Sequence, residues 1–536
     1  MNIQELMQEN GLQYLLVNTT NEFLVEYNTL DANTLYKITN FSGSTGNALV
    51  TKEKIYLFVD GRYHIQADLE VDHDFVEVVK ISAQNKFLEE LTRIVPQGSE
   101  IGVFAKKHSV TGVNNLAKLY KIKLLKEDPY DLKNSISTHD QNVSVPVELT
   151  GMTTEEKVEE LSELIDLQED EVLYVTNLDE VSYLFNMRNY CVPYSAKIQG
   201  KALISFEGAQ LYTPDKFEEL EEILKNTDKT VIIDKTSINC YDLAILEDAG
   251  VKILDIEKNP IQYMKSVKTE QELNSLKDAF ARTDRALSAV RNYIYEKENL
   301  SEFDIEQKLV EEFKKNGAVG LSFKPIIAKD KNSALAHYSK SSKDEIIKNG
   351  SLVLIDCGAY FDGGLATDIT RVFVKGEPSK LHKKIYTYVL KAFLNAFNYC
   401  RTHMCTDCLA NEEHEHSQIT GFDIDNCVRE FLGQNDFEGF IFNHGLGHGI
   451  GINVHEYPPS LSNGEMAKVP LLNGECFSIE PGLYKEGEFG VRLENSCYFE
   501  NGEIKSFVHM NYEDKLIDYD MLNEQEKEWL KEFEVK

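Results

Sequence analysis

Apolar positions in the first 260 residues fall in short, strand-length runs separated by turn residues and by stretches of helical period. Residues 12–17 are mostly apolar, and Ile55-Tyr56-Leu57-Phe58-Val59 stops at Asp60-Gly61-Arg62, a turn signal after a buried strand. Residues 172–175 and 231–234 repeat that pattern, while 83–94 read as a helix. Strands alternating with helices predict α/β structure. A polar stretch at 135–144, followed by Pro146, predicts a linker. Thr153-Thr154-Glu155-Glu156 then opens a second unit, with a threonine cap and a helix to about Leu167. This unit repeats the general pattern of the first without visible identity, so duplication is a suspicion only. Asn259-Pro260 predicts another linker, after which Leu273, Leu276, Phe280, Leu287 and Val290 recur near the helical period over 270–294. Residues 523–536 read as a charged amphipathic helix in which the sole tryptophan, Trp529, is a packing element.

Length supports this division, because 536 residues exceed one ordinary core and predict roughly two to four domains. The expected boundaries are 1–145, 146–262 and 263–536. With 89 acidic and 56 basic residues the formal charge is −33, which excludes phosphate backbones and anionic membrane surfaces as natural partners. The N-terminus lacks the basic and apolar regions of a signal peptide, and no apolar run approaches the roughly 20 residues of a membrane helix. Nine scattered cysteines predict reduced thiols and a cytoplasmic protein.

Candidate chemistry lies downstream of residue 294. The loop Phe41-Ser42-Gly43-Ser44-Thr45-Gly46 lacks the Gly-Lys-Ser/Thr ending of a phosphate-binding loop and reads as a structural turn. By contrast, Asp356 ends the apolar run 352–355 and Asp368 opens 369–374, with the hairpin signal Asp362-Gly363-Gly364 between them. A hairpin centred on Asp362 would set Asp356 opposite Asp368, on one face. Glu480 and Glu494 are likewise symmetric about Gly487, in the turn Lys485-Glu486-Gly487-Glu488. Between the two acidic segments runs Phe442-Asn443-His444-Gly445-Leu446-Gly447-His448-Gly449-Ile450-Gly451, with His455 beyond, too glycine-rich for a helix. Four converging carboxylates resist ionising together. Two divalent ions would balance them, with a neutral imidazole as a fifth ligand. Such an oxygen-rich set favours Mn²⁺, while Zn²⁺, Co²⁺ or Fe²⁺ also suit it. Elsewhere Cys400, His403, Cys405, Cys408, His414 and His416 have spacings a structural zinc could use, but a polar surface insertion is the expectation.

The motifs Thr-Asp-Ile-Thr-Arg at 367–371, His-Gly-Leu-Gly-His-Gly at 444–449, Glu-Pro-Gly at 480–482 and Val-Arg-Leu-Glu-Asn at 491–495 resemble the pita-bread metallopeptidases. That family includes methionine aminopeptidase, prolidase and Xaa-Pro aminopeptidase. The resemblance extends over nearly the whole chain to the three-domain, cytosolic Xaa-Pro aminopeptidase type, through Ile38 to Gly46, Asp60 to Tyr63, Leu178 to Val181, Leu184 to Arg188, Lys515 to Asp518 and Trp529-Leu530. It implies two creatinase-like N-terminal α/β domains followed by a pita-bread catalytic domain, and metal ligands Asp356, Asp368, His448, Glu480 and Glu494. It also implies removal of the first residue from peptides with proline second. An ion-activated water would attack the carbonyl, Glu480 would act as base, and His337, His444, His455 and Arg492 would bind substrate or assist, in a homodimer. Prolidase activity on dipeptides and a non-catalytic binding protein are the alternatives. The chain departs from the family pattern in three places. The Asp356–Asp368 interval is one residue longer than the family pattern, Lys340 replaces the proline expected in His-Tyr-x-Pro at 337–340, and residues 400–424 form an unusual connection.

Overall fold

The computed structural model describes residues 2–82, 86–131, 139–403 and 419–534. The chain divides into two compact units. One comprises Met1–Ser144, Met152–Val192 and Lys197–Ile261, the other Val145–Gly151, Pro193–Ala196 and Gln262–Lys536.

The first unit contains two sheets, and their topology gives the suspected duplication its physical basis. In one, the strands run in the order Val76–Lys80, Ile55–Val59, Asn47–Val50, Tyr14–Asn18, Glu100–Phe104, Lys121–Leu125. In the other the order is Gly208–Tyr212, Lys201–Ser205, Glu171–Val175, Thr230–Ile233, Ile253–Asp255. In each, the first strand in sequence starts a sheet that continues antiparallel on one side and parallel on the other. Five strands thus share order and direction, and the first sheet adds one parallel edge strand. The loop 41–46 is a structural turn, as read. Ser42 donates through its backbone N–H and its hydroxyl to the Glu70 carboxylate, and Arg62 bonds Thr45 while gripping Asp60.

Helix ends follow their caps. Thr153 accepts from the Glu156 N–H while Glu156 reaches back, closing a capping box on Thr154–Leu164. That helix stops three residues short of the expected Leu167 because Asp166 takes a left-handed conformation at φ +49°. The helix expected at 83–94 is Phe87–Ile94, residues 83–85 lying outside the described residues.

The second unit is α+β, with antiparallel sheets throughout. A three-stranded sheet joins Ile326–Lys329, Leu352–Cys357 and Ile369–Val374, and a five-stranded one joins Glu456–Leu461, Gly447–Gly449, Cys476–Ile479, Asn495–Glu500 and Glu503–Ser506. Helix Glu270–Glu296 begins on another capping box, Thr269 with Glu272, and buries Leu273, Leu276, Phe280, Leu287 and Val290, the positions picked out by periodicity. A helix that the pattern reading did not single out, Lys380–His403, forms the spine of the core. It buries Ile385, Val389, Leu390, Phe393 and Phe397 against strand residues such as Val372, Phe477 and Val491. Truncating Phe393 to alanine would cost about 3–5 kcal/mol. The C-terminal helix is shorter than expected, Glu524–Leu530 followed by a 3₁₀ turn, and Trp529 packs half-buried on this core. Of the cysteine and histidine segment, Cys400 is buried in the spine helix and His403 is exposed at its end. Cys405, Cys408, His414 and His416 lie outside the described residues. No helix among the described residues is long and apolar enough to cross a membrane.

Candidate metal centre

Two hairpins and one glycine-rich strand build the site. In the first hairpin Asp356 pairs with Thr370 and Cys357 with Ile369, while Tyr360 bridges to Ala366. This corrects the expected pairing of Asp356 with Asp368. The loop apex is Gly363 rather than Asp362, because Gly364 adopts the left-handed turn at φ +63° and donates its N–H to Phe361. Moving the apex by one residue moves every partner by two. An even shift preserves the face, so Asp368, two residues before Thr370, still lies on the side of the sheet that carries Asp356. Gly358 permits the close approach of the two arms, since a Cβ there would lie 1.8 Å from the Thr367 carbonyl oxygen.

The second hairpin is symmetric about Gly487, as the spacing predicted. Gly482 pairs with Arg492 and, further out, Ile479 with Asn495. Gly487 itself turns the chain at φ +78°. Its even-numbered residues share a face, which puts Glu480, Tyr484, Arg492 and Glu494 on one side. Gly447 lets the histidine strand close on this hairpin, because a Cβ would lie 1.9 Å from the Ser478 carbonyl oxygen. The Ser478 hydroxyl then accepts from the His448 N–H (3.1 Å) and donates to Glu480 (3.4 Å).

The side chains converge. Asp368, His448 and Glu494 each offer a ligand atom within 4.8 Å of the others. His448 Nε2 is 3.5 Å from both Asp368 Oδ2 and Glu480 Oε1. Its Nδ1 lies 3.0 Å from the Gly449 carbonyl, which can only accept, so in the neutral ring the proton sits on Nδ1 and Nε2 is free to ligate. Arg492 reaches Asp356 through Nη2, lies 3.8 Å from Glu480, and donates to the Ala336 carbonyl and the Tyr484 hydroxyl. The Tyr484 proton is thereby directed to His444 Nε2 at 2.9 Å, and His444 Nδ1 donates to the Gly445 carbonyl. The His455 ring meets the His448 ring edge to face at 4.4 Å. His337 stands half-buried in the turn immediately after Ala336. A second arginine, Arg371, is fully buried behind the site. It donates to the backbone carbonyl of Glu494 (2.7 Å), to Asn495 Oδ1 and to the Met510 carbonyl, with Tyr512 over its guanidinium.

A cation would relieve the electrostatics here. Burial, countered by Arg492 and reinforced by Asp356, pushes the Glu480 carboxyl up to about 7. Burial and the surrounding carboxylates push Asp368 and Glu494 well above the ordinary range. One guanidinium cannot neutralise four carboxylates. Asp356 Oδ1 and Glu494 Oε1 are buried and accept no hydrogen bond, a cost of about 1–3 kcal/mol each unless an ion takes them. The donor set therefore fits divalent metal ions. Thr370, which donates to Glu494 Oε2 at 2.7 Å, Ser478 and Tyr484 escaped the sequence reading. Strand alternation could have found Thr370 and Tyr484, because each lies an even number of residues from an acid.

Comparisons with known proteins agree with this picture. Residues 274–501 match the model of metallopeptidase family M24, and residues 1–129 and 133–272 match two models of the creatinase/prolidase N-terminal domain. A protein of Paracoccidioides brasiliensis (strain Pb03) described as "Probable Xaa-Pro aminopeptidase P" is 29% identical, with 99% of this chain and 93% of the relative covered. One of the same description from Pyricularia oryzae is also 29% identical, over 99% of this chain and 93% of the relative. The fold matches the crystal structure of X-prolyl aminopeptidase from Caenorhabditis elegans, described as a cytosolic enzyme with a di-nuclear active site. The TM-score is 0.83 at 22% identity, covering 97% of this chain and 90% of that one. Prolidase from Pyrococcus horikoshii superposes at a TM-score of 0.54 and 27% identity, covering 68% of this chain and 99% of that one. Residues 274–501, which hold all five candidate metal ligands, thus match metallopeptidase family M24, and they follow two segments that each match a creatinase/prolidase N-terminal domain.

Proposed function

We propose that the chain is an Xaa-Pro aminopeptidase, releasing the first residue from peptides whose second residue is proline. The observation that carries the reading is the convergence of Asp368, His448 and Glu494 beside two unbonded carboxylate oxygens, in a chain aligned with Xaa-Pro aminopeptidase relatives over 99% of its length. Asp356, Asp368, His448, Glu480 and Glu494 would hold two divalent ions, Mn²⁺ first among the candidates. When bound, such ions acidify water and polarise the scissile carbonyl. Glu480, within reach of the Ser478 hydroxyl, takes the proton of the attacking water and returns it towards the leaving imide nitrogen. Arg492 holds Asp356 in place and fixes the Tyr484–His444 chain, so that the His444 ring keeps one orientation. His337 and His455 flank the centre as substrate contacts. Residues 1–145 and 146–262, as separate domains, would supply the contacts of a cytoplasmic homodimer.

Metal analysis of the purified protein, paired with hydrolysis of Arg-Pro-Pro and Gly-Pro, tests this reading. The expected result is close to two equivalents of divalent metal and cleavage of the tripeptide. Preference for Gly-Pro would make the protein a prolidase. Metal-supplemented protein that neither binds metal nor cuts any peptide would make it a non-catalytic relative.

A further inference from the structure

We propose that Glu302 is a positioning residue for the turn that carries His337, an inference that rests on the peptidase reading above. Glu302 is the first residue of helix Glu302–Lys315 and is 0% exposed, yet no metal or substrate role draws a carboxylate to that place. Its two oxygens collect four donors. Oε1 accepts from the Lys329 N–H (2.7 Å) and the Asn332 amide (2.9 Å), and Oε2 from the Tyr338 hydroxyl (2.7 Å) and the Ser342 N–H (3.0 Å). A buried carboxylate so satisfied is a rigid node, and each charge-assisted bond is stronger than a neutral one.

Two of those donors belong to the segment that follows His337. The residue before His337 is held from the other side, since the Ala336 carbonyl accepts from Arg492 at 3.2 Å. His337 is therefore pinned through both chain neighbours, one tied to the arginine of the metal centre and the other to Glu302. Further along, Phe303 N–H donates to the Ser342 carbonyl and Ser301 bridges to Ile346, so the whole return of the loop is laid along the start of this helix. Lys340 gives the turn no covalent rigidity. Hydrogen bonds to Glu302, and the contact of the Tyr338 hydroxyl with the Lys340 carbonyl, supply it instead.

In Glu302→Gln an amide N–H₂ replaces one carboxylate oxygen and, whichever way it rotates, cannot accept from the backbone N–H on its side, Lys329 or Ser342, so one side of the clamp loosens. In the metal-loaded, full-length enzyme, kcat/KM for Arg-Pro-Pro is expected to fall about tenfold in Glu302→Gln and about threefold in Tyr338→Phe. Made in a His337→Ala background, either change is expected to alter kcat/KM less than twofold, because the turn no longer carries anything to aim. Equal losses in both backgrounds would mean that Glu302 serves the fold alone and would overturn the proposal. Tyr338→Phe carries the same cycle should Glu302→Gln fail to fold. Hydrogen exchange gives an arm independent of the peptide chosen: amides 335–345 should exchange at least fivefold faster in Glu302→Gln or Tyr338→Phe, and unchanged exchange would refute the clamp. Absence of peptide cleavage by the wild type would sink the peptidase reading instead, while the exchange arm still decides what Glu302 holds.

Discussion

The two acid-bearing hairpins of the catalytic unit present carboxylates to one centre by different means. In the second, an isolated glycine, Gly487, marks the apex, and Glu480 and Glu494 lie symmetric about it in the observed register. In the first, two adjacent glycines compete for the apex, the second takes the left-handed turn, and Asp356 faces Thr370 instead of Asp368. The second hairpin thus brings its acids together by direct opposition and the first by a diagonal. The diagonal leaves Thr370 opposite Asp356, where its hydroxyl reaches across to Glu494. A register that misses the symmetric solution supplies the hydrogen bond that joins the hairpins.

The largest effect should come from the base. Glu480→Gln is expected to lower kcat about 10³-fold with unfolding unchanged, measured by peptide hydrolysis and urea titration, and near-normal turnover would remove Glu480 from that role. Next, the closeness of the first hairpin's arms is broken by Gly358→Ala, whose Cβ has no room beside the Thr367 carbonyl; a loss of about 3 kcal/mol in urea unfolding is expected. Thr370→Val tests the link between hairpins and should weaken metal binding about 10–100-fold, read by competition with a chelating dye.

A pH series sharpens the contrast, because the second hairpin's outer end carries a buried carboxyl, Glu475, which burial pushes from the ordinary 4.5 to about 7. The folded state then holds a proton that the unfolded chain releases, so this group's stabilisation is present below about pH 4.5 and lost as pH rises through 7. Glu475→Gln should therefore melt higher than wild type at pH 8, by about 2 kcal/mol in stability, with the gain vanishing near pH 4.5. Smallest is Gly487→Ala. Open space surrounds the added methyl, so only the left-handed backbone resists it, and about 1 kcal/mol is expected.

Much of the centre was legible because its residues sit in short motifs whose spacing obeys strand alternation. The Gly487 register needed only arithmetic, and three glycines around His448 ruled out a helix. The first register was not legible because Asp362-Gly363-Gly364 offers three apices, and only the crowding between Gly358 and Thr367 and the turn at Gly364 decide among them. Partners far apart in sequence were hidden for a simpler reason. Asp356 and Arg492 are separated by 136 residues, and Glu302 and Tyr338 by 36, so no local pattern connects them. In the first unit the strands were visible as apolar runs, but the shared strand order that supports duplication exists only once pairing is known.

Arg371 carries a practical consequence for anyone trimming this chain. Its guanidinium spans from the backbone carbonyl of Glu494 to the Met510 carbonyl, beneath the Tyr512 ring, and both of the latter lie past residue 501, where the match to the family model stops. A version cut at that point would strip a buried cation, bonded to the backbone of the candidate ligand Glu494, of an acceptor and an aromatic lid. The smallest piece worth expressing as a catalytic unit therefore runs through the segment around Tyr512.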